Sequence, residues 1–309
     1  MTTFTRDDGR ELRVIAGFRN RVLSYRKSVT PRSDWNDDDY ARAVKKRVKR
    51  GKRLIEKISR WHGALENAEV LEIGCGDGLN TILLGLQVVK RAVGIDLDLR
   101  LNRRDEQGES VRRLVAGVIE AIGVSKSLDQ CLRSLPIELL TMEATQMEFA
   151  DSSFDLLLSR SVLEHIHSIE KAFAEFGRVV RPRGMIYHEI DPFYWLRGCH
   201  KRGLVDIPWA HSRLPLQEFH RFVAGSEGKR AADKRVERLK TLNRRTLQEW
   251  KILMGNGPFE IVNWAESTSS FAEVVLKEYP EVTSTLLPGV EPRDLIVSRI
   301  EVWLRNRAE

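Results

Sequence analysis

The sequence has few cysteines and no long apolar segment. Its three cysteines, Cys75, Cys131 and Cys199, lie far apart and form no CxxC pair, which argues against a disulfide framework and a structural zinc site. No apolar run approaches the length of a membrane-spanning helix. The first residues also lack the apolar centre of a signal peptide, so we expect a cytoplasmic protein without a membrane span.

The chain has 309 residues, of which 42% are hydrophobic and 31% are charged. These values are ordinary for a soluble globular protein, and the length suits one large domain with a sizeable insertion. The formal net charge of +7 is compatible with an acidic substrate, a membrane surface or a nucleic acid. It does not choose among them.

The stretch from Val70 to Asn80 organises the rest of the sequence. A β-branched apolar run leads into alternating glycines and then into an amphipathic segment, an order that predicts strand, tight turn and helix. Glycines let the backbone approach a ligand, and the following helix presents unpaired N–H groups. A nucleotide-like ligand is the expected occupant. The dinucleotide fingerprint is not met, because its third glycine position is Leu79.

The pattern here is E-x-G-x-G-x-G, with Glu72 two residues before the first glycine. It resembles motif I of the class I S-adenosylmethionine-dependent methyltransferases. That resemblance implies that the glycine turn packs under the methionine part of the cofactor. It also implies that an acid ending the next strand, here Asp96, holds the ribose hydroxyls, since a carboxylate accepts two charge-assisted hydrogen bonds.

Later segments extend the resemblance. Glu143-Ala144 corresponds to the acid–alanine pair that borders the adenine. The segment Phe149–Ser159 is similar to the family's F-x-D-x-S-F-D-x-x-x-S pattern, whose strand end faces the active site, and Leu163–Ile166 matches its L-E-H-I tetrapeptide. The implied cofactor, S-adenosyl-L-methionine with S-adenosyl-L-homocysteine as product, would contact Glu72, Gly74, Cys75, Gly76, Asp77, Gly78, Asn80, Asp96, Leu97, Glu143, Ala144, Ser159 and Arg160.

The resemblance implies an α/β fold, namely a doubly wound, Rossmann-like, seven-stranded sheet whose last strand is antiparallel. We predict an N-terminal helical region at 1–67 and a methyltransferase domain at 68–309. Within that domain, a helix is predicted from Ser161 to Val180 and the final strand from Asp294. Residues 191–257 exceed the minimal core, and their aromatic and histidine residues predict a substrate-binding lid inserted between strands 5 and 6.

Candidate general bases are His188, Asp191, His211 and His165, since a histidine or carboxylate can accept a hydroxyl proton. Asp206 and His211 alone do not make a metal site, because a third regularly spaced ligand is missing, and we predict no metal. The basic helix between Ala41 and Trp61 has two interpretations: it binds phosphates or an anionic surface, or it is a solvated helix that docks by one apolar stripe.

Three functions remain open. The first is O-methylation of a small molecule, a glycan or a lipid-linked precursor. The second is RNA methylation through the basic helices, although the Asn/Asp-Pro-Pro-aromatic motif of adenine-amino methylases is missing at Ser159-Arg160-Ser161. The third is a non-catalytic binding module on the same fold.

Overall fold

The computed structural model describes residues 2–25 and 34–307. A seven-stranded sheet forms its centre, with a separate two-stranded hairpin near the N-terminus. The strands are β1 Thr3–Thr5, β2 Glu11–Arg13, β3 Glu69–Ile73, β4 Arg91–Asp96, β5 Ile137–Thr141, β6 Phe154–Arg160, β7 Val180–Ile190, β8 Phe259–Thr268 and β9 Val297–Asn306. The helices are α1 Phe18–Ser24, α2 Asp37–His62, α3 Leu79–Gln87, α4 Glu106–Ala121, α5 Leu128–Ser134, α6 Ile169–Val179, α7 His200–Gly203, α8 Ala210–Arg213, α9 Leu216–Glu227, α10 Lys229–Lys240, α11 Leu247–Gly255 and α12 Ser270–Glu278.

The strand order of the large sheet is β5-β4-β3-β6-β7-β9-β8. Strands β3 to β7 pair in parallel, whereas β9 runs antiparallel to both of its neighbours. The predicted fold class, including the antiparallel last strand, is confirmed. The chain winds from β3 outward to β5 and then returns to β6 on the other side, which places a crevice at the carboxyl ends of β3 and β6.

Helices cover both faces of the sheet, and each binds by its apolar stripe. On one face, α2 buries Leu54 and Ile58 against β3, β6 and β7. On the other, α6 buries Phe173 and Phe176. A capping box at Asn36 and Asp39 starts α2 by satisfying its first amides. The sheet therefore fixes the rotation of the amphipathic helices α2 and α6 about their own axes.

Two predicted boundaries are wrong. The helix expected from Ser161 begins only at Ile169, because Ser161 has φ 55° and its amide donates to the Glu189 carbonyl at 2.7 Å. A short 3₁₀ turn at Leu163–His165 fills the gap. The strand expected from Asp294 begins at Val297, since the Asp294 carboxylate instead accepts the amides of Leu247 and Glu291, both at 2.8 Å.

The N-terminal region is not wholly helical, contrary to expectation. Its first part is the β1–β2 hairpin, which shares a hydrophobic cluster with α1, α9, α10 and α12. The segment 191–257 between β7 and β8 supplies most of that cluster. The insertion therefore has a core of its own, built together with the N-terminal hairpin and separate from the core beneath α6.

Candidate functional site

An open cleft of about 1240 Å³ lies at the carboxyl ends of the parallel strands. Its floor consists of residues that end or follow β3, β4, β6 and β7, and α2 forms one wall. Both the position, at the point where strand order reverses, and the size suit a nucleotide cofactor together with a second small molecule.

Two glycines, Gly74 and Gly76, shape the bend after β3 in different ways. Gly74 has φ 67°, and a Cβ added to it would lie 2.3 Å from Cγ2 of Val162. Gly76 has φ 58°, and a Cβ there would meet only the Asp96 carboxylate, at 3.9 Å. Residues that have a Cβ rarely adopt this left-handed backbone conformation. Gly74 therefore lets two segments pack closely, and Gly76 presents bare backbone to the cleft.

Asp96 is held at the end of β4 by that same bend. Its Oδ2 accepts the Gly76 amide at 2.8 Å, and its Oδ1 accepts the Asp98 amide at 2.9 Å. Each carboxylate oxygen can accept a second hydrogen bond. The side chain is half-buried and lines the cleft, so part of its acceptor capacity remains available on the cleft side.

Glu72 is the acid that precedes the glycines, and its carboxylate is satisfied within the protein. Oε1 accepts from the Asn80 amide at 2.8 Å, and Oε2 accepts from the Thr81 hydroxyl at 2.6 Å. Burial raises the pKa of Glu72 above its usual range. These bonds tie the first turn of α3 to β3, so Glu72 organises the bend from below.

Helix α2 closes one side of the cleft through a basic stripe. Arg47 binds the Asp77 carboxylate of the bend at 3.0 Å. Residues at three- and four-residue intervals continue along the same helix face and line the cleft, as the helical repeat requires. They are Arg50, Arg53, Lys57 and Arg60. The interval was visible in the sequence, but only the packing of Leu54 and Ile58 on the sheet decides that this stripe faces inward.

A second polar surface lies beyond the bend, on β6, β7 and β9. Arg160 and Arg299 both contact the Glu189 carboxylate, each at 3.4 Å. Lys57 pairs with Glu301 and lies 3.2 Å from the Tyr187 hydroxyl. Sequence analysis missed Tyr187, Glu189, Arg299 and Glu301, because their meeting depends on the antiparallel return of β9 beside β7.

Three candidate proton-handling groups lie where β7 ends. Asp191 and His165 both line the cleft. Burial, reinforced by nearby His200 and Arg238, lowers the pKa of His165 to about 4, so its ring is neutral at pH 7. Glu164, which sequence analysis did not single out, is buried beside Asp191. Burial and the charge of Asp191 raise the pKa of Glu164 well above its usual range.

Most of the predicted cofactor contacts converge on this cleft. The residues that line it are Glu72, Gly74, Cys75, Gly76, Asp77, Asn80, Asp96, Leu97, Glu143, Ala144 and Arg160. Gly78 lies outside the lining and packs against Leu139. Ser159 is fully buried and also lies outside it.

Comparison with known proteins bears on this same region. Residues 71–188, which include the bend, Asp96 and the end of β6, match the family model described as "Methyltransferase domain". Together with the sheet order and the cleft, that match assigns residues 71–188 to this family. The chain contains a methyltransferase domain.

Three curated relatives are similar to this chain at low identity. A ubiquinone biosynthesis O-methyltransferase of Rhizobium rhizogenes is 26% identical over 129 residues, which are 40% of this chain and 41% of that protein. Phosphoethanolamine N-methyltransferase 1 of Arabidopsis thaliana is 27% identical over 135 residues, 44% of this chain and 22% of that protein. A malonyl-[acyl-carrier protein] O-methyltransferase of Geobacter sulfurreducens is 26% identical over 196 residues, 62% of this chain and 61% of that protein. The matched stretches thus span from 22% to 61% of these relatives.

Two of the candidate bases lie away from the cleft of the methyltransferase domain. Along β7 the side chains alternate, so His188 points to the opposite face from Tyr187 and Glu189. It packs between Phe173 and Phe176, and its Nδ1 is 2.8 Å from the Ser159 hydroxyl. Burial lowers the pKa of His188 to about 3. The arrangement is that of a core histidine.

His211 lies in the core of the insertion. Its Nε2 donates to the Trp195 carbonyl at 3.1 Å, and it borders a separate small cavity of about 40 Å³. Burial lowers the pKa of His211 to about 4. The structure therefore does not bring His188 or His211 together with Asp191 and His165.

The aromatic residues of the insertion also serve that core. Phe193, Trp195 and Trp209 are buried within its hydrophobic cluster, and Asp191 and Arg238 are the cleft-lining residues that residues 191–257 contribute. Within 2–25 and 34–307, no set of three His, Cys, Asp or Glu side chains is arranged to hold a metal ion. None of the helices described there combines the length and apolar character that crossing a bilayer demands.

Proposed function

We propose that this chain is an S-adenosylmethionine-dependent O-methyltransferase that acts on a small molecule, a glycan or a lipid-linked precursor. The observation that carries the proposal is the Asp96 carboxylate, which two backbone amides hold in place while its remaining acceptor sites face the cleft. A ribose with two adjacent hydroxyls fits that arrangement.

The lining on either side of Asp96 suits the rest of the nucleoside. The bare backbone at Gly76 admits the methionine part without a Cβ in the way. Glu143 and Ala144 lie beyond β5, where an adenine would extend. When bound, S-adenosylmethionine supplies an electrophilic methyl group on a sulfonium.

What the chain itself supplies to the reaction is alignment and proton transfer. Holding acceptor and donor in line lowers the barrier by up to ~7–11 kcal/mol. Asp191 and the neutral ring of His165 line the same part of the cleft and can accept a hydroxyl proton. Such general-base assistance adds roughly 10²–10⁴-fold to the rate. Two of the three relatives named above are O-methyltransferases by name, which favours oxygen over nitrogen as the acceptor.

The first test is calorimetric titration with S-adenosylhomocysteine, for which we expect one site per chain. Transfer of a labelled methyl group to a panel of hydroxyl compounds follows. In Asp191→Asn we expect kcat to fall by roughly 10²–10⁴-fold with the S-adenosylhomocysteine affinity unchanged. A larger loss in His165→Gln would assign the base to the histidine instead. Absence of nucleoside binding by the intact protein would overturn the proposal as a whole.

A further inference from the structure

The part of the cleft beyond the glycine bend carries an excess of positive charge. Its walls come from the later turns of α2, the ends of β6 and β7, the strand β9 and one residue of α10. The seven basic lining residues there are Arg50, Arg53, Lys57, Arg60, Arg160, Arg238 and Arg299. The four acidic ones are Glu56, Glu189, Asp191 and Glu301. The bend, by contrast, contributes mostly acids, so positive charge is concentrated at the acceptor side.

The floor of this region holds two arginines around one carboxylate. Both guanidinium groups lie 3.4 Å from Glu189, whose side chain is only 7% exposed. The Nε atom of Arg160 is buried and has no hydrogen-bond partner among the described residues, whereas Arg299 contacts Glu189 through its own buried Nε. One carboxylate therefore balances two cations, and part of their donor capacity is unused within the described chain.

The rim of the same region adds two exposed arginines on α2. No acidic partner is found for Arg53 or Arg60 in the described portion of the chain, and both lie on the cleft-facing stripe. Lys57, between them in sequence, is already paired with Glu301. Guanidinium groups bind carboxylates and phosphates in bidentate fashion, and positive charge at the mouth of a cleft attracts an anionic ligand.

From these contacts we propose that the acceptor carries an oxyanion, a phosphate or a carboxylate, which Arg160 and Arg299 bind at the floor while Arg53 and Arg60 attract it at the rim. The proposal rests on the proposed function, because it assigns this end of the cleft to the acceptor. A single-stranded nucleic acid is less well matched. It requires stacking rings along its path, whereas Tyr187, the one phenol or indole ring among the lining residues of the described chain, is buried.

The experiment uses the full chain saturated with S-adenosylhomocysteine, so that cofactor binding is established before any anion is added. Inorganic phosphate, succinate and a short single-stranded RNA are then titrated separately by calorimetry at constant ionic strength. We expect saturable one-site binding of phosphate or succinate in the millimolar range, and the stronger of the two identifies the anion. In Arg299→Gln the dissociation constant should rise at least about ten-fold, because a charge-assisted contact is lost.

Arg305→Gln is the matched control, since Arg305 lies on the same strand but pairs with Glu260 outside the cleft. Its anion affinity should be unchanged. The double variant Arg53→Gln/Arg60→Gln alters only exposed side chains of α2 and should weaken binding even if Arg299→Gln does not fold. Undetectable anion binding, equal binding by wild type and variants, or binding of the RNA alone would overturn the inference. If S-adenosylhomocysteine still binds in those cases, the proposed function stands without it.

Discussion

The carboxylate of Asp96 offers the sharpest test of how the cofactor is held. In Asp96→Ala the two acceptor oxygens disappear, together with their hydrogen bonds to the Gly76 and Asp98 amides at 2.8 and 2.9 Å. Loss of hydrogen bonds from hydroxyl groups to a charged acceptor costs about 1.5–3 kcal/mol. We therefore expect the dissociation constant of S-adenosylhomocysteine to rise roughly 10- to 150-fold, measured by calorimetry.

Two further variants separate direct binding from disturbance of the bend. Asp96→Asn keeps an oxygen that can accept the Gly76 amide but removes the charge, so its affinity should lie between those of wild type and Asp96→Ala. Asp98→Ala is the control, because it removes an exposed side chain that pairs with Arg103, at 3.4 Å. Surface ion pairs contribute about 0–1 kcal/mol, so its affinity for S-adenosylhomocysteine should match that of the wild type. An affinity for S-adenosylhomocysteine that is unchanged in Asp96→Ala would refute the placement of the ribose.

Three more predictions concern stability, each measured by urea unfolding. Gly74→Ala combines a left-handed φ of 67° with a contact of 2.3 Å to Val162, so it should lower the free energy of unfolding by about 2–4 kcal/mol, and a second change, Val162→Ala, should restore part of that loss. Glu164→Gln should stabilise the protein increasingly as pH rises above the pKa of an unfolded glutamate. The pKa of Glu164 is raised in the native state, so ionisation in the unfolded chain lowers the free energy of unfolding of the wild type but not of the variant. Equal stabilisation at pH 4 and pH 8 would contradict this. Burial lowers the pKa of His188 to about 3, so its contribution to the free energy of unfolding is complete above about pH 6.5 and is lost as pH falls. The loss should reach about 3 kcal/mol at pH 4. If His188→Gln keeps the wild-type dependence of stability on pH, other groups produce that dependence.

The side of the cleft that the glycine bend forms could be predicted because it is built from contiguous sequence. A parallel strand, a glycine bend and a helix follow one another, and the adjacent strand ends in Asp96. Local backbone chemistry fixes where such residues lie. Near-continuous apolar runs such as β6 predict strands that are buried on both faces. The antiparallel last strand, by contrast, was implied only by the resemblance to the methyltransferase family.

The candidate bases show where that reasoning stops. His188 and Glu189 are neighbours in sequence, yet strand alternation places one against Phe176 and the other in the cleft. The packing of β7 between the two helix layers decides which of the two faces the cleft. His211 and the aromatic residues near it were expected at a substrate pocket and instead fill the core of the insertion.

By itself, the sequence determined the glycine bend, the position of Asp96 at the end of the next strand and the alternation of strands and helices. Each of these depends on residues that are close together in the sequence. Only the tertiary structure decided that the basic stripe of α2 faces the cleft and that Arg160 and Arg299 meet at Glu189. Those contacts join β6, β7 and β9 with a helix that precedes all three in the sequence. Their geometry depends on how separate elements pack and pair, which hydrophobic burial and strand register fix together.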